Sequence, residues 1–140
     1  AAALEVAREN ARKLLGPDHK IAFVQGDLYE GVEGAFDIIC SNPPYISEAE
    51  YATLAREVTL YEPRQALVAG PDGTEFHRRI AEGARERLKP SGWLLMEMGA
   101  EQRKALTEIL EETKIFDDIR FRADLAGLDR VVIARRTNLI

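Results

Sequence analysis

Apolar and polar positions along the chain follow two periods, one typical of helices and the other of strands. Residues 1–15 place apolar side chains three or four positions apart, which predicts an amphipathic helix that ends at Gly16. Residues 21–25 and 36–41 are short, mostly apolar runs that predict strands, and the second run is typical of a parallel strand buried on both faces. The same patterns predict later helices at 47–55 and 100–113, and a long helix that opens at Asp72 or Thr74 and runs to Leu88. They also predict an irregular segment at 60–71 with an extended piece at 66–69, and strands at 93–98, 115–123 and 130–136.

The order of these elements predicts the fold class. Strands that alternate with helices indicate an α/β fold built on a parallel sheet. The last two strands are joined at Gly127 and predict an antiparallel hairpin at the carboxyl end of the chain. Ligands of open parallel sheets bind at the carboxyl ends of the strands, so the residues after strand 36–41 are the first candidates for a functional site.

Composition narrows the class of protein. The 140 residues are 46% hydrophobic and 31% charged, which fits one globular domain. The net charge of −5 gives no general attraction to a nucleic-acid backbone, so nucleic acid is a disfavoured partner. The single cysteine, Cys40, excludes an internal disulfide and fits the cytoplasm, and no apolar run is long enough to span a bilayer. We expect Cys40 to be a small buried residue within its strand.

The motif that carries chemistry follows strand 36–41 directly and reads Asn42, Pro43, Pro44, Tyr45. These four residues are called the 42–45 loop below. Each proline fixes its own φ, lacks an N–H donor and restricts the preceding residue, so the loop is stiff and little competes for the Pro43 carbonyl. Asn42 adds a side-chain acceptor, and Tyr45 adds a flat aromatic face. The loop therefore predicts a rigid pocket with two acceptors and a stacking wall.

Such a pocket matches a planar −NH2 group. Two acceptors bind its two hydrogens, and the ring packs against its plane. An amide nitrogen is a poor nucleophile, and methyl transfer needs nitrogen, methyl carbon and sulfur in line, so positioning and electrostatics address both problems. The alternative is a proline-rich turn in which Asn42 is an ordinary turn former. A metal is not expected, because His19 and His77 lack ligand partners at suitable spacing, and both are expected to be exposed.

Several further segments accompany the loop. On these the chain resembles the HemK/PrmC family of protein-(glutamine-N5) methyltransferases, which modify peptide chain release factors. The shared segments are 3–7 with Asn10 and Ala11, 26–28, 36–46, 61–64 with Ala66 and Leu67, Gly70 with Asp72 and Gly73, 97–99, 124–127, and 129–132. The 61–64 and 124–127 segments discriminate best, because adenine methyltransferases of nucleic acids generally lack them.

The resemblance implies a Rossmann-like fold that binds S-adenosylmethionine. It implies that Asn42 and Pro43 accept hydrogen bonds from the substrate glutamine amide, that Tyr45 packs against it, and that Pro44 shapes the loop. Asn42 would also lie beside the cofactor. Asp27 would accept from the adenine amino group and Leu28 would cover the adenine ring. The implied partner is a peptide chain release factor.

The chain departs from that family at its amino end. The glycine-rich cofactor loop, the acidic residue for the ribose and the amino-terminal helical domain should all precede Ala1, and no Gly-x-Gly occurs in the sequence. We therefore expect residues 1–140 to be a partial methyltransferase catalytic domain, truncated at the amino end. Alone it should bind cofactor weakly, be inactive and expose sheet edges that favour self-association.

Two other functions remain open from the sequence. An adenine-N6 methyltransferase of DNA or RNA shares the pocket chemistry, because adenine N6 is also a conjugated −NH2 group. A non-enzymatic fragment that associates through unpaired strands is the other. Outside the loop, we expect Arg64 to form a structural salt bridge and Glu97 to be a structural carboxylate rather than a site residue.

Overall fold

The computed structural model describes residues 2–138, and the chain divides into two compact units, Ala1–Gly34 and Ala35–Ile140. The helices are α1 (Ala2–Leu15), α2 (Glu48–Tyr51), α3 (Arg56–Tyr61), α4 (Glu75–Arg87) and α5 (Arg103–Glu112), with a 3-10 turn at Arg64–Ala66. The strands are β1 (Phe36–Ser41), β2 (Leu88–Glu97), β3 (Phe116–Ala123) and β4 (Asp129–Arg136). None of the helices in the described part of the chain is both long and apolar enough to cross a membrane.

The first unit contains α1 and an irregular segment. The predicted helix is confirmed, and it ends at Gly16. Gly16 has a φ of +83°, which glycine adopts without strain, and its N–H donates to the Arg12 carbonyl at 3.1 Å. The predicted strand at 21–25 is wrong, because no strand of the described residues pairs with it. Ile21 and Val24 each stay 46% exposed, so this apolar run lacks both the ladder and the burial that a strand requires.

The second unit is built on a four-stranded sheet in the order β1-β2-β4-β3. Strand β1 pairs with β2 in parallel, and β4 runs antiparallel to both β2 and β3. The turn between β3 and β4 contains Gly127 with a φ of +81°. The predicted α/β class and the carboxyl-terminal antiparallel hairpin are therefore confirmed.

The core of this unit lies on one face of the sheet. Helix α4 packs against β2, and α5 packs against α4, β3 and β4. Alternate residues of β2, Leu94 and Met96, are fully buried, as period-2 alternation over a covered face requires. The two helices bury apolar positions spaced three or four apart, Ile80 and Ala84 on α4 and Leu106 and Leu110 on α5.

Strand β1 has its predicted bounds but not its predicted burial. It is the edge strand of the described sheet, so Ile38 is 58% exposed and Cys40 is exposed rather than buried. Its neighbour β2 begins at Leu88, five residues before the predicted start. The pairing steps from Phe36 opposite Leu88 to Ile38 opposite Trp93, so residues 89–92 form a bulge inside the strand.

The connections after β1 differ from prediction mainly in length. The capping box of Ser47 and Glu50 is confirmed, with the Glu50 N–H bonding Ser47 Oγ at 3.2 Å, but α2 stops at Tyr51 instead of residue 55. Helix α3 lies partly within the segment predicted to be irregular. The extended piece expected at 66–69 is a single parallel bridge between Ile46 and Val68. Helix α5 begins three residues later than predicted, whereas α4 begins at Glu75 with Thr74 as its N-cap, one of the two predicted starts.

Candidate functional site

The 42–45 loop leaves the sheet at the carboxyl end of β1, beside the carboxyl end of β2. In the parallel register, Ser41 lies opposite Met96, so Glu97 is next to the start of the loop. This is the location where open parallel sheets present ligand-binding residues. A cavity of about 140 Å³ opens there. It is lined by Asn42, Pro43, Pro44, Tyr45, Ile46, Ala66, Leu67 and Glu97.

The cavity has the size of a small polar group. Its volume of about 140 Å³ is comparable to that of a few water molecules, each of which occupies about 30 Å³ in the liquid. The Pro43 side chain is buried, and its carbonyl accepts no hydrogen bond from residues 2–138. The exposed Asn42 side chain likewise has no protein partner in that part of the chain. Both predicted acceptors therefore retain their hydrogen-bonding capacity at the cavity.

The side chain of Gln102 fixes the backbone at the end of the loop. Its Nε2 donates to the Tyr45 carbonyl at 2.9 Å and to the Gly73 carbonyl at 3.1 Å. Its Oε1 accepts from the Gly99 N–H at 2.9 Å. One half-buried amide thus joins the loop after β1, the turn before α4 and the loop after β2.

Gly73 makes this junction possible through its lack of a side chain. Its φ is +76°, and a Cβ atom built there would lie 2.4 Å from the Tyr45 carbonyl oxygen and 2.8 Å from Gln102 Nε2. On the other side, Ile46 exchanges two backbone bonds of 2.9 Å with the carbonyl of Leu67 and the N–H of Ala69. The loop is therefore held from two directions.

Tyr45 is oriented by charged groups at the end of the neighbouring strand. Its hydroxyl donates to Glu97 Oε1 at 3.0 Å and also lies near the Arg130 guanidinium. Burial raises the pKa of the Tyr45 phenol, the Glu97 carboxylate raises it further, and Arg130 lowers it. Glu97 was expected to be a structural carboxylate. The structure shows that it both binds Tyr45 and lines the cavity.

The 124–127 segment supports Arg130. Asp124 Oδ1 accepts the N–H groups of Ala126 at 2.9 Å and Leu128 at 3.1 Å, which closes the hairpin turn. Its other oxygen accepts from Arg130 Nη2 at 3.1 Å. These contacts keep the pKa of Asp124 below its usual range, the Leu128 N–H being the largest cause. Asp124 of the 124–127 segment thus supports Arg130, which lies near the Tyr45 hydroxyl.

Asp27 and Leu28, which were predicted to contact the adenine, belong to the first unit. Asp27 and Leu28 form a turn in the first unit, where the Glu30 N–H bonds the Asp27 carbonyl at 3.0 Å and Leu28 has a φ of +52°. The 42–45 loop lies in the second unit, so the roles of Asp27 and Leu28 stay predictions. Arg64 is exposed, lies 3.4 Å from Glu48 and contacts the Tyr51 ring, as expected of a structural ion pair.

His77 was predicted to be exposed, and that prediction is wrong. Its side chain is fully buried, and its Nε2 lies 2.8 Å from the Glu97 carbonyl oxygen. A carbonyl only accepts, so Nε2 carries the proton, whereas Nδ1 is buried without a partner within the described residues. The missed signal was its spacing of three, four and seven residues from Ile80, Ala81 and Ala84, which places it on the apolar face of α4.

Comparison with known proteins identifies the family. The family model described as "Methyltransferase small domain" matches residues 1–73, slightly more than half of the chain. This chain belongs to the methyltransferase small domain family. It is 44% identical over 142 residues to the release factor glutamine methyltransferase of Nitratidesulfovibrio vulgaris, covering 99% of this chain and 48% of that protein. A second relative of that description, from Cereibacter sphaeroides, is 43% identical over 96% of this chain and 48% of its own length.

A solved structure supports the fold. The chain matches a methyltransferase from Pyrococcus furiosus with a TM-score of 0.61 and 22% identity, over 95% of this chain and 57% of that one. The predicted methyltransferase fold and the resemblance inferred from the sequence are confirmed. The chain spans about half the length of the curated relatives it matches.

The buried His77 should make stability depend on pH. Burial lowers the pKa of His77 below its ordinary value of 6.5, and the bond to the Glu97 carbonyl opposes part of this shift. Below pH 6.5 the unfolded chain therefore binds more protons than the folded chain, and stability falls with pH at a slope of up to about 1.4 kcal/mol per pH unit. Urea unfolding of wild type and His77→Gln between pH 7 and 5 should show a shallower slope in the variant. Equal slopes for wild type and His77→Gln would contradict the assignment.

Proposed function

We propose that this chain supplies the acceptor site of an S-adenosylmethionine-dependent methyltransferase that modifies the side-chain amide nitrogen (N5) of glutamine in peptide chain release factors. The observation that carries the proposal is the 42–45 loop. It is held at both ends, leaves the acceptors of Asn42 and Pro43 without protein partners, and forms a cavity sized for a small planar group. The names of the relatives support the same substrate.

The geometry suits the chemistry of an amide nitrogen. Asn42 Oδ1 and the Pro43 carbonyl would accept the two N–H bonds, which fixes the plane of the amide and the direction of its lone pair. Tyr45 would pack against that plane, because its hydroxyl is held by Glu97 at 3.0 Å. Acceptors that are already in place need no reorganisation as positive charge develops on the nitrogen.

S-adenosylmethionine supplies, when bound, an activated methyl group on a positively charged sulfur. Asn42 is exposed at the carboxyl end of β1, which suits a residue shared between substrate and cofactor. Asp27 is exposed and Leu28 is half-buried, so a carboxylate acceptor and an apolar side chain adjoin in one turn. We propose that they contact the amino group and the ring of the adenine, as the family resemblance implies.

Glutamine is favoured over adenine as the methylated group. The net charge of −5 opposes binding to a nucleic-acid backbone, and the relatives carry names that specify glutamine. The segments that set this family apart also have a structural role, since Asp124 supports Arg130 beside Tyr45. Adenine-N6 methylation remains the second candidate because the pocket chemistry is shared.

The activity is proposed for the whole protein rather than for residues 1–140 alone. The chain covers 48% of its relative from N. vulgaris and contains no Gly-x-Gly. We propose that the cofactor loop is contributed by sequence beyond these residues, and that the isolated chain is a partial catalytic domain without activity. The single cysteine is consistent with action in the cytoplasm.

Methyl transfer tests the proposal. A chimera should be made in which the N. vulgaris relative supplies the part of its length that this chain does not cover. With radiolabelled S-adenosylmethionine it should label a release factor at glutamine and leave duplex DNA unlabelled. Asn42→Ala should lower kcat/KM by about 100-fold, because one acceptor of the reacting group is removed. Asn138→Ala, an exposed residue that bonds Ser91, should leave the rate unchanged.

Two results would contradict the proposal. Labelling of DNA in preference to the release factor would favour the adenine alternative. A rate for Asn42→Ala equal to that of Asn138→Ala would remove the 42–45 loop from the reaction.

The free edge of the sheet supports a second proposal, self-association of the isolated chain. Within the described residues β1 pairs only with β2, and its other edge carries Ile38 at 58% exposure. We expect dimers in sedimentation equilibrium, and Ile38→Lys should shift them towards monomer because a charge opposes strand pairing. Wild type that stays monomeric at high concentration would contradict the proposal.

A further inference from the structure

Glu97 is a half-buried carboxylate at the rim of the cavity, and its backbone is fixed. Its carbonyl accepts from His77 Nε2 at 2.8 Å, and the next residue, Met98, donates its N–H to the Arg130 carbonyl at 2.9 Å. One carboxylate oxygen accepts from the Tyr45 hydroxyl at 3.0 Å. The side chain is therefore held at the cavity from both its backbone and its tip.

The charge of Glu97 is not neutralised by an ion pair. The described residues contain no Lys or Arg nitrogen within salt-bridge distance of Glu97. The nearby Arg130 is paired with Asp124 at 3.1 Å, so the three groups together carry a net charge of −1. A carboxylate offers about four acceptor sites, and the Tyr45 hydroxyl uses one of them. Glu97 thus presents negative charge and spare acceptor capacity to the cavity.

We propose that Glu97 makes this cavity selective for a neutral primary amide over its carboxylate isostere. The inference rests on the proposed function and adds a specificity-determining residue to it. A glutamine amide and a glutamate carboxylate have nearly the same size and shape, so a rigid cavity of about 140 Å³ cannot separate them by fit. The two groups differ in hydrogen bonding and in charge, and the site addresses both differences.

Hydrogen bonding gives the first part of the selectivity. The amide donates two N–H bonds, whereas an ionised carboxylate only accepts and would face the acceptors of Asn42 and Pro43. The charge of Glu97 gives the second part. At a separation of about 5 Å in partly screened surroundings, two like charges repel by an amount equal to about a tenfold change in affinity.

The test compares two small probes on the intact chain. All residues that line the cavity lie in the 35–140 unit, so binding of a side-chain-sized probe needs no other segment. The probes are N-acetylglutamine methylamide and N-acetylglutamate methylamide at neutral pH. NMR titration of the labelled protein gives the dissociation constant of each.

The decisive variant is Glu97→Gln, which keeps the size of the side chain and an acceptor for the Tyr45 hydroxyl. We expect the glutamate probe to bind about tenfold more tightly to this variant than to wild type, with the affinity for the glutamine probe changed less than about twofold. Tyr45→Phe removes the hydroxyl and keeps the charge, so it should retain the wild-type preference for the amide. Glu101→Gln, an exposed site on the following loop, is the matched charge control with wild-type behaviour.

A second measurement verifies the contact in solution. The phenol pKa of Tyr45, assigned by subtracting the ultraviolet titration of Tyr45→Phe, should fall in Glu97→Gln because a raising influence is removed. Glu101→Gln should leave that pKa unchanged. A Tyr45 pKa that is unchanged in Glu97→Gln would show that the Glu97 carboxylate does not lie beside the Tyr45 hydroxyl.

Three binding results distinguish the claims. A Glu97→Gln protein with the wild-type ratio of affinities would overturn the selectivity role and leave the proposed function standing. An equal loss of affinity for both probes in that variant would also overturn the selectivity role, because it would show that Glu97 has only a structural role. Wild type that binds neither probe at millimolar concentration would overturn this inference, and the methyl-transfer assay would then decide the proposed function separately.

Discussion

The site depends on one side-chain amide, that of Gln102. It uses both donors and its acceptor on backbone groups of three separate connections, at 2.9 Å to Tyr45, 3.1 Å to Gly73 and 2.9 Å to Gly99. Two of those connections leave strands β1 and β2, and the third enters helix α4. Without this junction, three backbone groups in a half-buried region would lack partners, at a cost of about 1–3 kcal/mol for each unsatisfied group.

The junction explains how a short loop presents its acceptors. The prolines make the 42–45 loop stiff, but stiffness alone does not place it. Gln102 and Gly73 fix it from one side, Ile46 bonds the 67–69 segment, and Glu97 holds the Tyr45 ring through its hydroxyl at 3.0 Å. The Pro43 carbonyl and the Asn42 side chain remain available as a result. The arrangement is a preorganised acceptor site. Other contacts hold the loop, so these two acceptors are left to bind the reacting group.

Local sequence patterns predicted the elements whose stability is local. The capping box at Ser47, the turn at Gly127 and the strand bounds of β1 follow from residue chemistry within a few positions. Burial depends on distant neighbours and was predicted less well. Cys40 is exposed because β1 is an edge, and residues 21–25 form no strand because none of the described strands pairs with them. Gln102 escaped notice because two of its three backbone partners, Tyr45 and Gly73, lie at least 29 positions away, which no local pattern records. The spacing of His77 on α4 indicated burial, but the Glu97 carbonyl that it contacts lies 20 positions away.

Removing the Gln102 amide shows whether this side chain fixes the loop that forms the site. Hydrogen exchange of the Gly99 N–H, which donates to Gln102 Oε1 at 2.9 Å, should be compared in wild type, Gln102→Ala and Gln65→Ala, the last an exposed glutamine. We expect at least about tenfold faster exchange at Gly99 in Gln102→Ala, and wild-type exchange in Gln65→Ala. Equal protection of Gly99 in all three proteins would contradict this role of Gln102.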